Sequence, residues 1–178
     1  MNASLQKEFT SFEQKKNELL SRLDKLSNPV LSQRPDESSW CVLQVLDHLE
    51  KIELATISYL EKKLSHDAPL KKSGFMTNVK SFALHNALRI PFAKYRAPKR
   101  LMGGDEPRNY EEIKESWAGT RQKLEAILEP MSAELIHAEF FNNPNVGRIK
   151  IIQQMSFLNL HFDRHRKQVD KIISQVDT

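Results

Sequence analysis

The last part of the chain carries a stripe of mostly apolar residues whose spacing matches one face of an α-helix. Its members follow one another in alternating steps of four and three: Ile151, Met155, Leu158, Phe162, His165, Val169, Ile172 and Val176. Because a helix has about 3.6 residues per turn, these side chains all lie on one side of it. The stripe predicts a helix over residues 149–176 that buries this face against other helices, with His165 as its one polar member.

Three earlier segments show the same helical spacing, over residues 4–26, 40–64 and 109–129. The chain has only five glycines in 178 residues, a composition that favours helices over strands. Four long amphipathic helices in a chain of this length predict a single all-α domain over residues 1–178. We expect a four-helix bundle with a long crossover connection and one or two extra short helices.

The stripes of the first two segments contain polar residues. The first stripe is interrupted at Lys16, and its other members are Leu5, Phe9, Phe12, Leu19, Leu23 and Leu26. The second stripe has a histidine in a mostly apolar row: Cys41, Val45, His48, Ile52, Ala55 and Tyr59. His48 is therefore predicted to face the core, where solvent does not reach freely.

The connections between the long helices give weaker patterns. Asn28-Pro29 is predicted to stop the first helix. After the second helix, residues 75–90 indicate a further helix, and residues 91–107, with three prolines and two glycines, indicate an extended loop. We expect a short helix over residues 131–141 and a turn over residues 142–147.

The net charge is small and mostly dispersed, because 27 basic and 23 acidic side chains give +4. The basic residues form no recognition-helix pattern, so we expect no nucleic-acid partner. One basic cluster stands out in the predicted loop: Lys94, Arg96, Lys99 and Arg100. It is interpreted as a solvated loop or as a site for a phosphate or another anionic small molecule.

Several features concern the compartment. No stretch reaches the ~18 uncharged apolar residues of a membrane span, so we expect no membrane association. Residues 1–8 show neither a basic head with an apolar stretch nor a small-residue cleavage pattern, which predicts no leader. The single cysteine, Cys41, suits a reducing compartment, and the predicted location is cytoplasmic. Cys41 lies about 10 Å along the helix from His48 and is predicted to pack in the core.

Two histidines near the C-terminus have the spacing of a metal-ligand pair. His161 and His165 are four residues apart, so their rings share one helix face with an axial offset of about 6 Å. A third imidazole from a facing helix, that of His48, would complete a three-histidine metal site. Hydrogen bonding of each imidazole to a neighbouring residue is the alternative interpretation. No such spacing links the other histidines, which are interpreted as surface or packing residues: His66, His85 and His137.

Two common catalytic motifs do not fit the sequence. The histidine pair is not the H-E-x-x-H motif of zinc proteases, because Phe162 stands where that motif has its glutamate. Asp163 lies well round the helix from the histidines, and it is predicted to form a surface ion pair with Arg166 or Lys167. The chain also lacks G-x-x-x-x-G-K-[ST] and G-x-G-x-x-G, which excludes the usual nucleotide-binding loops.

Short motifs on two of the predicted helices resemble the DinB-like (YfiT-like) metalloprotein superfamily. They are Ser39-Trp40 with VLDHL at residues 45–49, HFDRHRKQV at residues 161–169 and NPNVGRI at residues 143–149. The second is similar to the family pattern H-x-x-x-H-x-x-Q followed by an aliphatic residue. The resemblance implies a four-helix bundle with a divalent metal ion (nickel, zinc, iron or manganese in the family) on three histidines, which match His48, His161 and His165.

The same resemblance implies an activity: thiol transfer with a low-molecular-weight thiol, or a thiol-dependent isomerisation in a sister branch. An ion on three neutral ligands keeps its full positive charge, which would ease proton loss from a bound thiol or water. We therefore expect a metal-dependent thiol (S-)transferase, with a small-molecule thiol and an electrophilic substrate as partners. A metal-dependent hydrolase and a non-catalytic helical protein with a structural or vestigial metal site remain open. The resemblance also suggests a homodimer, and residues 75–107 match no motif.

Overall fold

The computed structural model describes residues 1–65, 106–143 and 147–176 of the chain. Within these ranges the fold is all-α with one small sheet, and its elements in chain order are α1 (Ala3–Leu23), α2 (Asn28–Ser32), α3 (Val42–Leu64), α4 (Tyr110–Leu128), α5 (Ala133–His137), β1 (Phe141–Asn143), β2 (Gly147–Ile149) and α6 (Ile151–Val176). The predicted fold class is confirmed. Among the described helices, none is both long and apolar enough to cross a membrane.

Four long helices, α1, α3, α4 and α6, pack around one core. Helix α1 packs mainly on α6, and α3 packs on both α4 and α6, whereas the contact between α1 and α4 is smaller. Three aromatic rings fill the centre: Phe162 meets Phe12 edge-on at a centroid distance of 6.0 Å and lies 6.2 Å from Trp117. All three side chains are almost fully buried, so they contribute a large share of the hydrophobic stabilisation.

Asparagine caps set where two of the long helices begin. The Asn2 side-chain oxygen accepts a hydrogen bond from the Ser4 backbone N–H at 3.0 Å, at the start of α1. The Asn109 side-chain oxygen accepts one from the Glu111 backbone N–H at 2.9 Å, at the start of α4. Each bond satisfies a donor that has no partner inside the first helical turn.

The first predicted helix is too long, and a short helix follows it. Helix α1 ends at Leu23 rather than at residue 26, and α2 begins at the Asn28-Pro29 pair that was predicted as a helix stop. A proline in the first turn of a helix loses no internal hydrogen bond, because the N–H at that position has no helical partner in any case. Pro29 therefore marks the start of a helix.

A small antiparallel hairpin stands where the sequence predicted only a turn. Strand β1 pairs with β2, and Phe141 lies opposite Ile149 with both side chains buried. Gly147 has a φ of 76°, in the left-handed region that glycine enters without a steric penalty. Strands of three residues are too short for their alternation to be visible in a sequence.

Part of the predicted connection lies outside the described residues. This applies to the helix predicted over residues 75–90, to the basic cluster between Lys94 and Arg100, and to the predicted loop up to residue 105. The other predicted short helix, over residues 131–141, is present as α5, which covers Ala133–His137.

The buried face of α3 differs from the predicted apolar stripe beyond His48. The stripe placed Ile52 and Ala55 inward, but Ala55 is exposed and Ile52 is only half-buried. The structure instead buries the carboxylate side chain of Glu53, which is 1% exposed. Glu53 is buried because it has polar partners on α4. A prediction based only on the spacing of apolar residues does not detect such partners.

A buried ion pair joins α3 to α4. The Glu53 carboxylate accepts hydrogen bonds from Arg121 Nε at 2.6 Å and Nη2 at 3.1 Å, and from the Trp117 indole N–H at 2.8 Å. The Arg121 guanidinium also lies 3.5 Å above the centroid of the Phe12 ring and donates to Glu13 at 3.1 Å, both on α1. Burial raises the pKa of the Glu53 carboxyl, while Arg121 and Trp117 oppose that rise. One cluster of polar groups thus connects three helices.

Lys16, the break in the first stripe, also belongs to the buried face of α1. The residue is 4% exposed, and its ammonium group pairs with the Glu13 carboxylate at 2.7 Å. A buried charge requires such a partner. Lys16 therefore lies on the same buried face of α1 as the apolar members of the stripe, although its side chain is charged.

Removing the cation of the buried ion pair should destabilise the fold strongly. We expect Arg121→Met to lower the free energy of unfolding by about 3–5 kcal/mol, because the Glu53 carboxylate would stay buried without its charged partner. Denaturant unfolding followed by circular dichroism measures the change. The matched control is Arg22→Met, which breaks an exposed pair with Asp170 and should cost less than about 1 kcal/mol. Equal losses in the two variants would contradict this role of Arg121.

Candidate metal centre

The structure brings together the three histidines that the sequence singled out. His48 on α3 faces His161 and His165 on α6, with ring centroids 5.2 and 4.8 Å away respectively. The two α6 rings are 4.5 Å apart between centroids. One ring nitrogen of each residue lies within 4.8 Å of the other two.

The cluster lies where the buried face of α3 meets the edge of α6. His48 is 3% exposed, whereas His161 and His165 are half-buried. The four-residue spacing places the α6 rings one above the other, so that the two Nε2 atoms approach to 3.2 Å. The site therefore lies between the buried face of α3 and half-buried positions of α6.

Each of the three rings has a different neighbour. The Trp40 indole lies 5.3 Å from the His48 ring, and the Phe157 ring stacks on His161 at 5.6 Å with an angle of 22° between the planes. Gln168 Oε1 lies 2.8 Å from His165 Nδ1. Trp40 and Gln168 stand in the motifs that carried the family resemblance. Phe157 was missed, although its place one helical turn before His161 was a usable signal.

Burial keeps two of the imidazoles neutral. It lowers the pKa of His161 well below the ordinary value, and the neighbouring His165 and His48 act in the same direction. Burial also lowers the pKa of His165 to about 4, with His48 adding to the effect and the Gln168 hydrogen bond opposing it. A neutral imidazole keeps one ring nitrogen with a free lone pair, which is the form that binds metals.

The chemistry of this donor set fits a divalent metal ion. Within the described ranges, these three residues are the group of His, Cys, Asp or Glu side chains that has the geometry to hold one. Imidazole nitrogens suit zinc, copper, iron and nickel. Three protein ligands leave at least one coordination position for water or a substrate.

The predicted role of Asp163 is wrong. Its carboxylate pairs with the Lys15 ammonium at 2.8 Å, across the interface between α6 and α1, instead of with Arg166 or Lys167 on its own helix. The packing of α1 on α6 brings Lys15 close, and the sequence alone does not give that pairing. The Oδ2 atom of Asp163 is therefore engaged by α1.

The remaining candidates lie apart from the cluster. Cys41 is fully buried just before α3, two helical turns from His48, in agreement with its predicted packing role. His137 is exposed on α5. His66 and His85 lie outside the described residues.

Comparison with known proteins identifies the family. The profile of the DinB superfamily matches residues 11–169, a span that includes all three histidines. This chain belongs to the DinB superfamily. The chain is also similar to the uncharacterized protein YuaE of Bacillus subtilis (strain 168), with 24% identity over 166 residues. The aligned region covers 93% of this chain and 97% of YuaE. No solved structure matches the present chain.

The lowered histidine pKa values should make the stability of the metal-free protein depend on pH. Between the ordinary histidine pKa of about 6.5 and the folded value of about 4 for His165, the unfolded chain binds a proton that the folded chain does not. The free energy of unfolding should therefore fall as the pH falls through this window. Denaturant unfolding of chelator-treated protein at several pH values measures the slope.

The variant His165→Gln isolates the contribution of this residue. Its stability should fall less steeply than that of the unsubstituted chain as the pH is lowered, since the variant has no imidazole to protonate at this position. Titrating groups outside the cluster contribute equally to both proteins, whereas the lowered pKa of His161 depends partly on His165, so the difference in slope includes the effect of His165 on His161. Identical slopes would show that the imidazole of His165 does not stay neutral in the fold.

Proposed function

We propose that His48, His161 and His165 together hold one divalent metal ion, with nickel, zinc, iron and manganese as the candidates. The observation that carries this proposal is the convergence of three imidazoles from two helices, with their nitrogens within 4.8 Å of one another. Two nitrogens at about 2.1 Å from one ion stand roughly 3–4 Å apart. The distance of 3.2 Å between His161 Nε2 and His165 Nε2 already matches that spacing.

The residues of the chain prepare this site for chemistry in three ways. Burial holds His161 and His165 in the neutral form, so no proton has to be removed from an imidazolium before a metal binds. The aromatic rings of Trp40 and Phe157 pack against His48 and His161 respectively. A divalent ion with three neutral ligands would supply uncompensated positive charge, which lowers the pKa of a thiol or a water at the open position.

We propose thiol transfer as the reaction, with a low-molecular-weight thiol as the nucleophile and a small electrophile as the acceptor. Membership of the DinB superfamily and the neutral donor set support this proposal. Hydrolysis at the same ion is the closest rival. It is less favoured because, among the residues that the structure describes, the cluster consists of histidines alone and includes no carboxylate to act as a general base for water. A cytoplasmic location and a homodimer stay predictions.

Loss of any one ligand should remove the metal and leave the fold in place. We expect His48→Ala, His161→Ala and His165→Ala to lose bound metal, because two imidazoles bind an ion much more weakly than three. Helical circular dichroism should stay close to that of the unsubstituted chain, since the apolar core supplies most of the stabilisation. Elemental analysis of purified protein gives the metal content, and His137→Ala is the matched control on exposed α5.

Two results would contradict this expectation in different ways. Full metal content in all three variants would overturn the proposed ligand set. Unfolding of the unsubstituted protein on chelation would assign the ion a structural role.

The thiol-transfer proposal predicts a spectroscopic and a kinetic response to thiols. Adding a cellular thiol to cobalt- or nickel-loaded protein should produce a sulfur-to-metal charge-transfer band, because the open position admits a sulfur ligand. The loaded protein should also speed the consumption of a model electrophile by that thiol, and His161→Ala should abolish both effects. Ester hydrolysis without any thiol would move the assignment to a hydrolase. No band and no rate enhancement with several thiols would favour a non-catalytic protein.

A further inference from the structure

Gln168 contacts the outer ring nitrogen of His165, one of the histidines in the cluster. It follows His165 by three residues on α6, a spacing that puts the two side chains side by side on the helix surface. Its side-chain oxygen Oε1 lies 2.8 Å from His165 Nδ1, while Nε2 of the same ring faces His161 at 3.2 Å. Gln168 therefore contacts the side of the ring that points away from the cluster.

This contact selects one of the two neutral forms of His165. The carbonyl oxygen of Gln168 only accepts hydrogen bonds, so this contact is a hydrogen bond when the ring carries its proton on Nδ1 and donates it to Gln168. The lone pair is then on Nε2, the atom that faces the other histidines. With the opposite tautomer, an N–H group would point into the cluster and His165 could not bind a metal through that nitrogen.

We propose that Gln168 is a positioning residue of the metal centre, which holds His165 in the Nδ1–H tautomer and directs its Nε2 lone pair at the metal. The inference rests on the proposed function, because it assumes that His165 is a ligand. The His48 ring packs against Trp40 and the His161 ring stacks on Phe157, and the Nδ1 atom of His165 meets the polar side chain of Gln168.

Three variants of the full chain separate this role from a purely structural one. Gln168→Leu removes the acceptor and keeps a similar size, whereas Gln168→Glu keeps an acceptor oxygen at the same place. The control is Gln14→Leu, the same substitution at an exposed glutamine of α1 whose side chain donates a hydrogen bond to Glu18. Denaturant unfolding of the metal-free proteins checks that all three variants are folded.

The first measurement needs no metal. Imidazole 15N–1H correlation spectra of the chelator-treated protein report which ring nitrogen carries the proton. In the unsubstituted chain and in Gln168→Glu, His165 should be protonated at Nδ1. In Gln168→Leu this preference should be lost, because nothing at position 168 accepts the proton. Protonation of His165 at Nε2 in the unsubstituted chain would overturn the inference.

The second measurement is the affinity for cobalt or zinc, determined by competition with a chelator. We expect Gln168→Leu to bind about 10–100-fold more weakly, Gln168→Glu to bind at least as tightly as the unsubstituted chain, and Gln14→Leu to be unchanged. Equal affinities of the Gln168→Leu and unsubstituted chains would overturn the inference and leave the proposed metal site intact. An unsubstituted chain that binds no metal at all would overturn the proposed function and this inference with it.

Discussion

The packing of α3 between α4 and α6 is the constraint on which the rest of the structure depends. Its face toward α4 carries three buried carboxylates at three-residue intervals, Asp47, Glu50 and Glu53. Each has a cationic partner: Arg108, just before α4, bonds to the first two at 3.1 and 2.7 Å, and Arg121 on α4 bonds to the third at 2.6 Å. Buried carboxylates tolerate little sliding or rotation, since a lost partner leaves a charge unpaired. These bonds therefore fix the rotation of α3, and with it the direction of His48 toward α6.

The sequence predicted the parts of this arrangement that follow from helical periodicity. The stripe through His165 and the stripe through His48 were enough to place both rings inward on two different helices, and the structure brings the rings together. The pairing of Glu53 with Arg121 could not be predicted, because its partners are 68 positions apart in the chain and neither breaks a local pattern. Asp163 was misassigned for the same reason, since its partner Lys15 lies on another helix. Short elements such as α2 and the β1–β2 hairpin carry too few residues for a period to be visible.

The structure separates its buried charges from its buried imidazoles. The carboxylates of α3 face α4, where arginine side chains neutralise them, and His48 on the same helix faces the neutral rings of α6. Such a division has an electrostatic consequence for the proposed centre. A cation there would meet three uncharged nitrogen donors, and the charges that hold α3 in register are already compensated by their own partners. The charge of the ion would thus remain available to a bound ligand rather than being cancelled by the protein.

The position of the cluster relative to the aromatic core favours a centre that serves binding or chemistry over one that holds the fold together. Phe12, Trp117 and Phe162 join α1, α4 and α6 without any contribution from the histidines, and Phe162 follows His161 by one residue on α6. A structural metal site is typically closed, with four protein ligands in a small domain that lacks a sufficient core. Here the core is large, the described residues supply three ligands, and two of them, His161 and His165, are only half-buried. An ion bound in such a place would add stability to the native state by mass action.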